Sequence, residues 1–165
     1  MSNLSIIIIA FLAGAAGAFL TIQLAPSVPD QETAPMLKIL STAEQDALNL
    51  PFAEGIQVGN IIYLSGQIGA LPGTMALVPG GVQAETRQTL ENVKASLDRY
   101  GSSMERVIKC TVFMADMADW PAMNEVYVEM FAGHRPARSA FGAAGVALDG
   151  AVEIECIALA GQAGS

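Results

Sequence analysis

The sequence predicts one α+β or α/β domain in which a single β-sheet carries two helices on one face. Two segments have helical periodicity, and five short segments rich in β-forming residues lie before, between and after them. The predicted order is strand, strand, helix, strand, helix, strand, strand, which fits a single sheet covered on one side. A length of 165 residues agrees with one domain.

The two helices are predicted from apolar residues that recur on one face. In residues 82–100 these are Leu90, Val93, Leu97 and Tyr100. The second helix is predicted to follow Asp119 as its cap, and its apolar positions are Met123, Val126, Tyr127, Met130 and Phe131. Both apolar faces are expected to pack on the sheet.

The strands are predicted over residues 55–60, 61–68, 107–114, 137–141 and 151–160. The first ends in a tight Gly59-Asn60 turn, because glycine adopts positive φ at little cost. In the last strand alternate positions are apolar, which predicts one buried face formed by Val152, Ile154, Cys156 and Ala158.

An apolar leader precedes this domain. Residues 1–25 contain no charged side chain, and about 20 apolar residues suffice to span a bilayer as a helix. Two alternatives remain open, a cleaved signal peptide or an anchor through residues 4–24. Residues 26–36 are predicted to be a linker and residues 37–165 the domain. We therefore expect an exported or membrane-anchored protein, periplasmic if bacterial, and a cytoplasmic one if the leader is not functional.

The composition disfavours nucleic-acid and metal binding. Eight basic residues against 16 acidic ones give a net charge of −8, whereas a nucleic-acid binder needs clustered Lys and Arg. One histidine and two cysteines do not supply the three or four ligands of a zinc site. Cys110 and Cys156 fall on predicted strands, either as small core residues or, if their Cα atoms lie about 4.4–6.8 Å apart, as a disulfide.

Two groups of charged residues are candidates for chemistry. Arg135 and Arg138 flank a proline and an alanine, and arginine is suited to holding a carboxylate with two hydrogen bonds. Glu153 and Glu155 share one face of the last strand. A partly buried carboxylate there could transfer protons near neutral pH. The alternatives are an ordinary surface ion pair and a solvated strand face.

Six segments occur together in the order and spacing of a known family: Ile62–Ile68, Asn92–Lys94, Lys109–Phe113, Asn124–Tyr127, Arg135–Ser139 and Val152–Ala158. They resemble the RidA (YjgF/Rid) family of enamine and imine deaminases. The resemblance covers nearly all of the chain past the leader. Its most specific part is Pro-Ala-Arg-Ser followed by Glu-Ile-Glu.

The resemblance implies a chorismate-mutase-like fold and a homotrimer with active sites between subunits. It implies hydrolysis of reactive enamines and imines, such as 2-aminoacrylate, to 2-keto acids and ammonia, as in a 2-iminobutanoate/2-iminopropanoate deaminase. It implies no metal and no organic cofactor. A charged fraction of 15%, low against about 25% in soluble domains, agrees with a buried subunit interface.

The resemblance also implies roles for individual residues. Arg138 matches the arginine that binds the substrate carboxylate, and Glu153 matches the acid that positions water and shuttles the proton. Ser65 and Gly66 match a segment that lines the pocket, and Asn124 matches a polar pocket residue.

Two positions depart from the family pattern. Phe52 follows a proline where many members have a tyrosine, and Ala140 stands where many have a cysteine, although its backbone carbonyl can still hold water. The departures concern substrate range more than chemistry. The alternative function is a non-catalytic metabolite-binding or interaction module on the same fold, which needs Arg138 but not Glu153. A ribonuclease fits poorly with the acidic charge.

Overall fold

The computed structural model describes residues 36–161. The predicted leader and nearly all of the predicted linker lie outside these residues, so their boundaries stay predictions. Within the described part, no helix has the length and apolar character needed to cross a membrane. The strands and helices in chain order are β1 (Leu37–Leu40), α1 (Ala43–Ala47), β2 (Gly55–Val58), β3 (Ile61–Leu64), β4 (Gln67–Ile68), α2 (Gly81–Arg99), β5 (Val107–Met114), α3 (Trp120–Phe131), β6 (Ala137–Gly142) and β7 (Val152–Leu159).

All seven strands of the described range belong to one sheet. Its order is β1-β2-β3-β7-β5-β6, and β4 pairs with β7 beyond the end of β3. Every pair is antiparallel except β5 with β6, which is parallel. β2 pairs with β3 but not with β4, so the sheet leaves a gap beside β4. The prediction of one sheet with two long helices is confirmed.

The two faces of the sheet differ in burial. The face that packs against α2 and α3, here called the helix face, carries the buried alternate residues Cys110, Val112 and Met114 of β5 and their neighbours on β7. The opposite face, here called the outer face, carries exposed apolar side chains. These include Tyr63, Ile108 and Phe141. An apolar sheet face left open in one chain is a surface that a second molecule could cover.

Some local predictions are wrong. The segment 61–68 is two strands, because Ser65 and Gly66 interrupt the pairing between β3 and β4. Asp119 precedes α3, but its side chain makes no capping hydrogen bond because a 3-10 turn runs directly into the helix. The Asp116 carboxylate caps that turn by accepting from the Ala118 amide at 2.8 Å. The short elements β1 and α1 had no periodic pattern to predict them.

The two cysteines form a disulfide bond. Cys110 of β5 and Cys156 of β7 are direct partners across the two strands. Their Cα atoms lie 4.2 Å apart, just below the expected range of about 4.4–6.8 Å. Both residues are also buried in the core. The bond therefore joins two adjacent strands at the centre of the sheet.

Candidate active site

A cavity of about 720 Å³ lies beside β4, in the gap that the sheet leaves there. Three of the residues that the family resemblance singles out line it, namely Phe52, Gly66 and Glu153. Its other walls come from α1, from the loop that follows β4, from the exposed side of α2 and from the turn before β7. Its volume lies in the range of small-molecule sites, about 300–1,000 Å³.

Glu153 is the cavity residue best placed for proton transfer. It is half-buried near the start of β7, on the outer-face side of that strand. Burial raises the pKa of its carboxyl group above the ordinary value, and the negative charge of Glu155 adds to the effect. A carboxyl group whose pKa approaches the working pH can both accept and return a proton.

Gly66 leaves the space that the Glu153 carboxylate occupies. A Cβ atom at this position would lie 1.8 Å from Glu153 Oε1. Ser65, the neighbouring residue, does not line the cavity. Its hydroxyl donates to the Ala53 carbonyl at 2.7 Å, and its amide donates to the Glu54 carbonyl at 2.9 Å. Ser65 therefore holds the segment that follows Phe52 against the end of β3.

An ion pair between buried Glu54 and exposed Arg99 supports the wall of the cavity nearest α2. The Glu54 carboxylate accepts two hydrogen bonds from Arg99 Nη1, at 2.7 and 2.9 Å, and one from the Tyr100 hydroxyl at 2.5 Å. The Ser96 hydroxyl donates to the same carboxylate. Burial and the Glu54 charge raise the pKa of Tyr100 to about 12. The positive charge of Arg99 is already balanced by the Glu54 carboxylate where the guanidinium meets the cavity.

Arg138 belongs to a second group, on the helix face. Its Nη2 donates to Asn124 Oδ1 at 2.8 Å. Its guanidinium carbon lies 4.5 Å from the ring centroid of Tyr127 and 5.7 Å from that of Trp120. These α3 side chains fix the guanidinium while leaving donors for a ligand. Burial raises the pKa of Tyr127 to about 12, and the nearby arginine opposes this shift.

Ala140 lies two residues beyond Arg138 on β6 and pairs with Val112 on the helix face. It is half-buried and packs against the core. Neither Ala140 nor Asn124 lines the cavity that contains Glu153. The predicted site residues therefore form two groups in one chain, one around Glu153 and the other around Arg138.

The two groups point away from each other. Arg138 pairs with Cys110 of β5, and Glu153 pairs with Phe113 of the same strand. Cys110 and Phe113 are three residues apart, so their side chains face opposite sides of the sheet. The Cα atoms of Arg138 and Glu153 are separated by two strand spacings across the sheet and three residues along it, which is roughly 14 Å. One chain therefore does not bring both side chains to the same small molecule.

Several residues of the two groups belong to no sequence pattern that predicts their place at the site. Leu148, Met75 and the Glu54–Arg99 pair line the cavity, but they come from loops or lie far apart in sequence. Trp120 is the single tryptophan of the chain, and no sequence pattern predicts its contact with Arg138. No group of three or more His, Cys, Asp or Glu side chains within residues 36–161 is arranged to hold a metal ion. The single histidine, His134, is half-buried, and its Nε2 contacts the Val107 carbonyl at 2.7 Å.

Comparison with known proteins identifies the family. The family model described as Endoribonuclease L-PSP matches residues 44–160. A mouse protein named 2-iminobutanoate/2-iminopropanoate deaminase is 41% identical over 124 residues, which cover 75% of this chain and 92% of the mouse protein.

Solved structures confirm the fold. The crystal structure of the YjgF gene product from E. coli aligns with a TM-score of 0.68 at 36% identity, covering 74% of this chain and 98% of that one. The structure of E. coli TdcF with bound serine aligns with a TM-score of 0.63 at 35% identity, covering 73% and 92%. The fold is therefore the α+β, chorismate-mutase-like fold that the resemblance implied. The chain belongs to the Endoribonuclease L-PSP family, which is the RidA (YjgF) family that its motifs resemble.

Proposed function

We propose that this protein hydrolyses reactive enamines and imines of amino-acid origin to 2-keto acids and ammonia. The observation that carries the proposal is the half-buried Glu153, with its raised pKa, packed on Gly66 at a cavity of about 720 Å³. The mouse relative named 2-iminobutanoate/2-iminopropanoate deaminase supports the same reaction class.

The proposed chemistry needs one water and one proton carrier. The oxygen of a water molecule attacks the imine carbon and forms the C–O bond while the Glu153 carboxylate accepts the water's proton. Glu153 then returns that proton to the nitrogen, which gives a carbinolamine with an NH2 group. The carboxylate next takes the remaining hydroxyl proton and passes it to that nitrogen, so the C–N bond breaks, the carbonyl forms and ammonia leaves. An enamine first takes a proton on carbon and loses one from nitrogen to give the imine. General acid–base catalysis of this kind contributes about 10²–10⁴-fold.

Arg138 is proposed to bind the substrate carboxylate. Asn124 and the Tyr127 ring orient its guanidinium, and a charge-assisted, two-point contact would fix the imine carbon relative to the water. Because Arg138 and Glu153 lie on opposite faces of one sheet, we propose that each site takes Arg138 from one copy and Glu153 from another. A homotrimer provides such shared sites, and the exposed apolar residues of the outer face support burial between copies.

The primary experiment is an imine hydrolysis assay on the full-length protein. We expect it to accelerate formation of 2-oxobutanoate and pyruvate from 2-iminobutanoate and 2-iminopropanoate above the enzyme-free rate. Glu153→Gln should lose about 10²–10⁴-fold in rate while still binding the keto acid. A parent protein that binds the keto acid without any turnover would instead identify a non-catalytic metabolite-binding module.

The shared site can be tested by mixing inactive variants. Arg138→Ala and Glu153→Gln should each be inactive alone. When both are co-expressed, random assembly of copies should restore about a quarter of the parent activity, since that share of the sites contains both intact residues. Absence of recovery in co-purified mixed oligomers would place both residues in the site of a single chain and contradict the proposal.

We also propose that residues 1–25 export or anchor the protein. The leader contains no charged residue, and a disulfide joins Cys110 to Cys156; such bonds are rare in the cytosol. Cell fractionation of the full-length protein tests this, together with thiol labelling after denaturation without reductant. A cytosolic protein with two free thiols would contradict the proposed compartment.

A further inference from the structure

We propose that the cavity beside Glu153 selects imino acids with large apolar side chains, and that Leu148 is the residue that sets this preference. The inference rests on the deaminase function proposed above and names the substrate class of that site. It assigns a substrate larger than the 2-imino acids named for the mouse relative.

Large apolar side chains that are exposed to solvent gather at this cavity. Phe52, Leu71, Met75 and Leu148 line it, and they are 53%, 44%, 51% and 43% exposed. They come from three separate stretches of the chain, so local sequence does not explain their meeting. Exposed apolar side chains that converge on one concave surface indicate a surface that binds apolar groups.

Leu148 holds a backbone conformation that leucine avoids. Its φ is 58° and ψ 26°, and the following Asp149 also has φ 58°. Left-handed backbone is uncommon for residues with a bulky side chain. The turn is held by Gly150 donating to the Ala147 carbonyl at 3.1 Å and by Ala151 donating to Glu85 Oε2 at 2.7 Å. Backbone strain of this kind concentrates at functional sites, and here it occurs at a residue that lines the cavity.

The charges at the cavity disfavour an acidic substrate side chain. Glu44, Glu54 and Glu153 contribute carboxylates, whereas Arg99 is the cation among its lining residues. Arg99 is already paired with Glu54. A second carboxylate on the substrate would therefore meet net negative charge, and an apolar side chain would meet leucine, methionine and phenylalanine.

The size of the cavity favours the same class. A methyl side chain would contact little of the apolar wall formed by Phe52, Leu71, Met75 and Leu148, and so would gain little from it. Removing a branched aliphatic chain from water onto that wall is favourable in proportion to the area buried.

The test compares imino acids on the full-length protein. Imines are generated in place from leucine, alanine and glutamate by an added amino-acid oxidase, and the keto acid and remaining imine are followed over time. We expect kcat/KM to be roughly tenfold higher for the leucine-derived imine than for the alanine-derived one, and lowest for the glutamate-derived imine.

Two results separate this inference from the proposed function. If all imines are hydrolysed but the leucine-derived one has no advantage, the inference is overturned and the deaminase function stands. If no imine is hydrolysed faster than without enzyme, both are overturned.

A variant pair tests the role of Leu148. Leu148→Asn keeps a residue that tolerates left-handed backbone but replaces the apolar side chain with an amide. It should lower kcat/KM for the leucine-derived imine roughly tenfold more than it lowers kcat/KM for the alanine-derived imine. Val128→Asn also replaces an apolar side chain with an amide, at an exposed position of α3 away from the cavity. It should not alter the ratio of kcat/KM between the leucine-derived and the alanine-derived imine. An unchanged ratio in Leu148→Asn would overturn the assignment of Leu148.

Discussion

The surroundings of Arg138 and of Glu153 show two different ways to fix a charged side chain. Arg138 lies on a regular strand and is held by specific contacts from one helix, namely the Asn124 amide and the rings of Tyr127 and Trp120. Glu153 has no such partner side chain among the described residues; its position depends on space left by Gly66 and on packing near a strand break.

This difference predicts how each group responds to mutation. The Arg138 group should tolerate changes that keep an aromatic face and lose function when the guanidinium goes. The Glu153 group should be sensitive to added volume, because the carboxylate occupies the space that a Cβ at Gly66 would fill. The following predictions test this contrast, from the largest expected effect to the smallest.

Arg138→Ala should lower kcat/KM for imine hydrolysis by about a thousandfold, because a charge-assisted contact to the substrate carboxylate is lost. Arg135→Ala removes an exposed arginine three residues earlier and is the matched control. Steady-state kinetics, with circular dichroism to verify folding, measure both. Equal losses in the two variants would show that general positive charge, and not the Arg138 group, is what matters.

Gly66→Ala should lower kcat about a hundredfold, since the new methyl group would displace the Glu153 carboxylate and such misplacement is costly. The control is Gly145→Ala, where an added Cβ meets nothing within 4 Å. The rates of both variants should be compared at matched thermal stability. A Gly66→Ala enzyme with parent activity would mean that the carboxylate does not act from its position on Gly66.

Tyr127→Leu should raise KM about fivefold with little change in kcat, because the cation–π contact that orients Arg138 is worth about 1 kcal/mol. Tyr127→Phe keeps the ring and should retain the parent KM. It removes only a hydroxyl that has no hydrogen-bond partner among the described residues. If both variants raise KM equally, the hydroxyl and not the ring positions the arginine.

Glu155→Gln should move the acidic limb of the kcat/KM profile to lower pH. Glu153 must be deprotonated to accept a proton, so activity rises with pH through its pKa, and the Glu155 charge helps to raise that pKa. Removing the Glu155 charge lowers the pKa of Glu153 and therefore moves the acidic limb to lower pH. Glu105→Gln, in the 3-10 turn that precedes β5, should leave the profile in place. A shift to higher pH would refute the role of Glu153 as base.

Periodic segments made most of the fold predictable. The apolar stripes of α2 and α3 and the alternation in β7 are each set by burial against the sheet, and burial imposes a period that a sequence displays. Gly101, just past the end of α2, has a φ of 73°, the left-handed conformation that glycine commonly adopts after a helix. By contrast, β1 and α1 are short and exposed except for Leu40, so they carry no period.

The candidate site was predictable in composition but not in arrangement. The family resemblance selected Arg138, Glu153 and Gly66, yet residue spacing could not reveal that the first two lie on opposite faces, because that depends on the register of three strands. The apolar cavity wall was not predictable either. Leu148 reaches the cavity wall from a strained turn. Met75 reaches it from a loop whose sequence predicts only that the backbone is irregular.

The bond between Cys110 and Cys156 has a consequence for resistance to proteolysis. It closes a ring of chain in which Asn124, Arg138, Leu148 and Glu153 all lie. A protease that cuts once anywhere within that ring leaves the two fragments covalently joined. The loops before β6 and before β7 can therefore be cut once without release of either charged group.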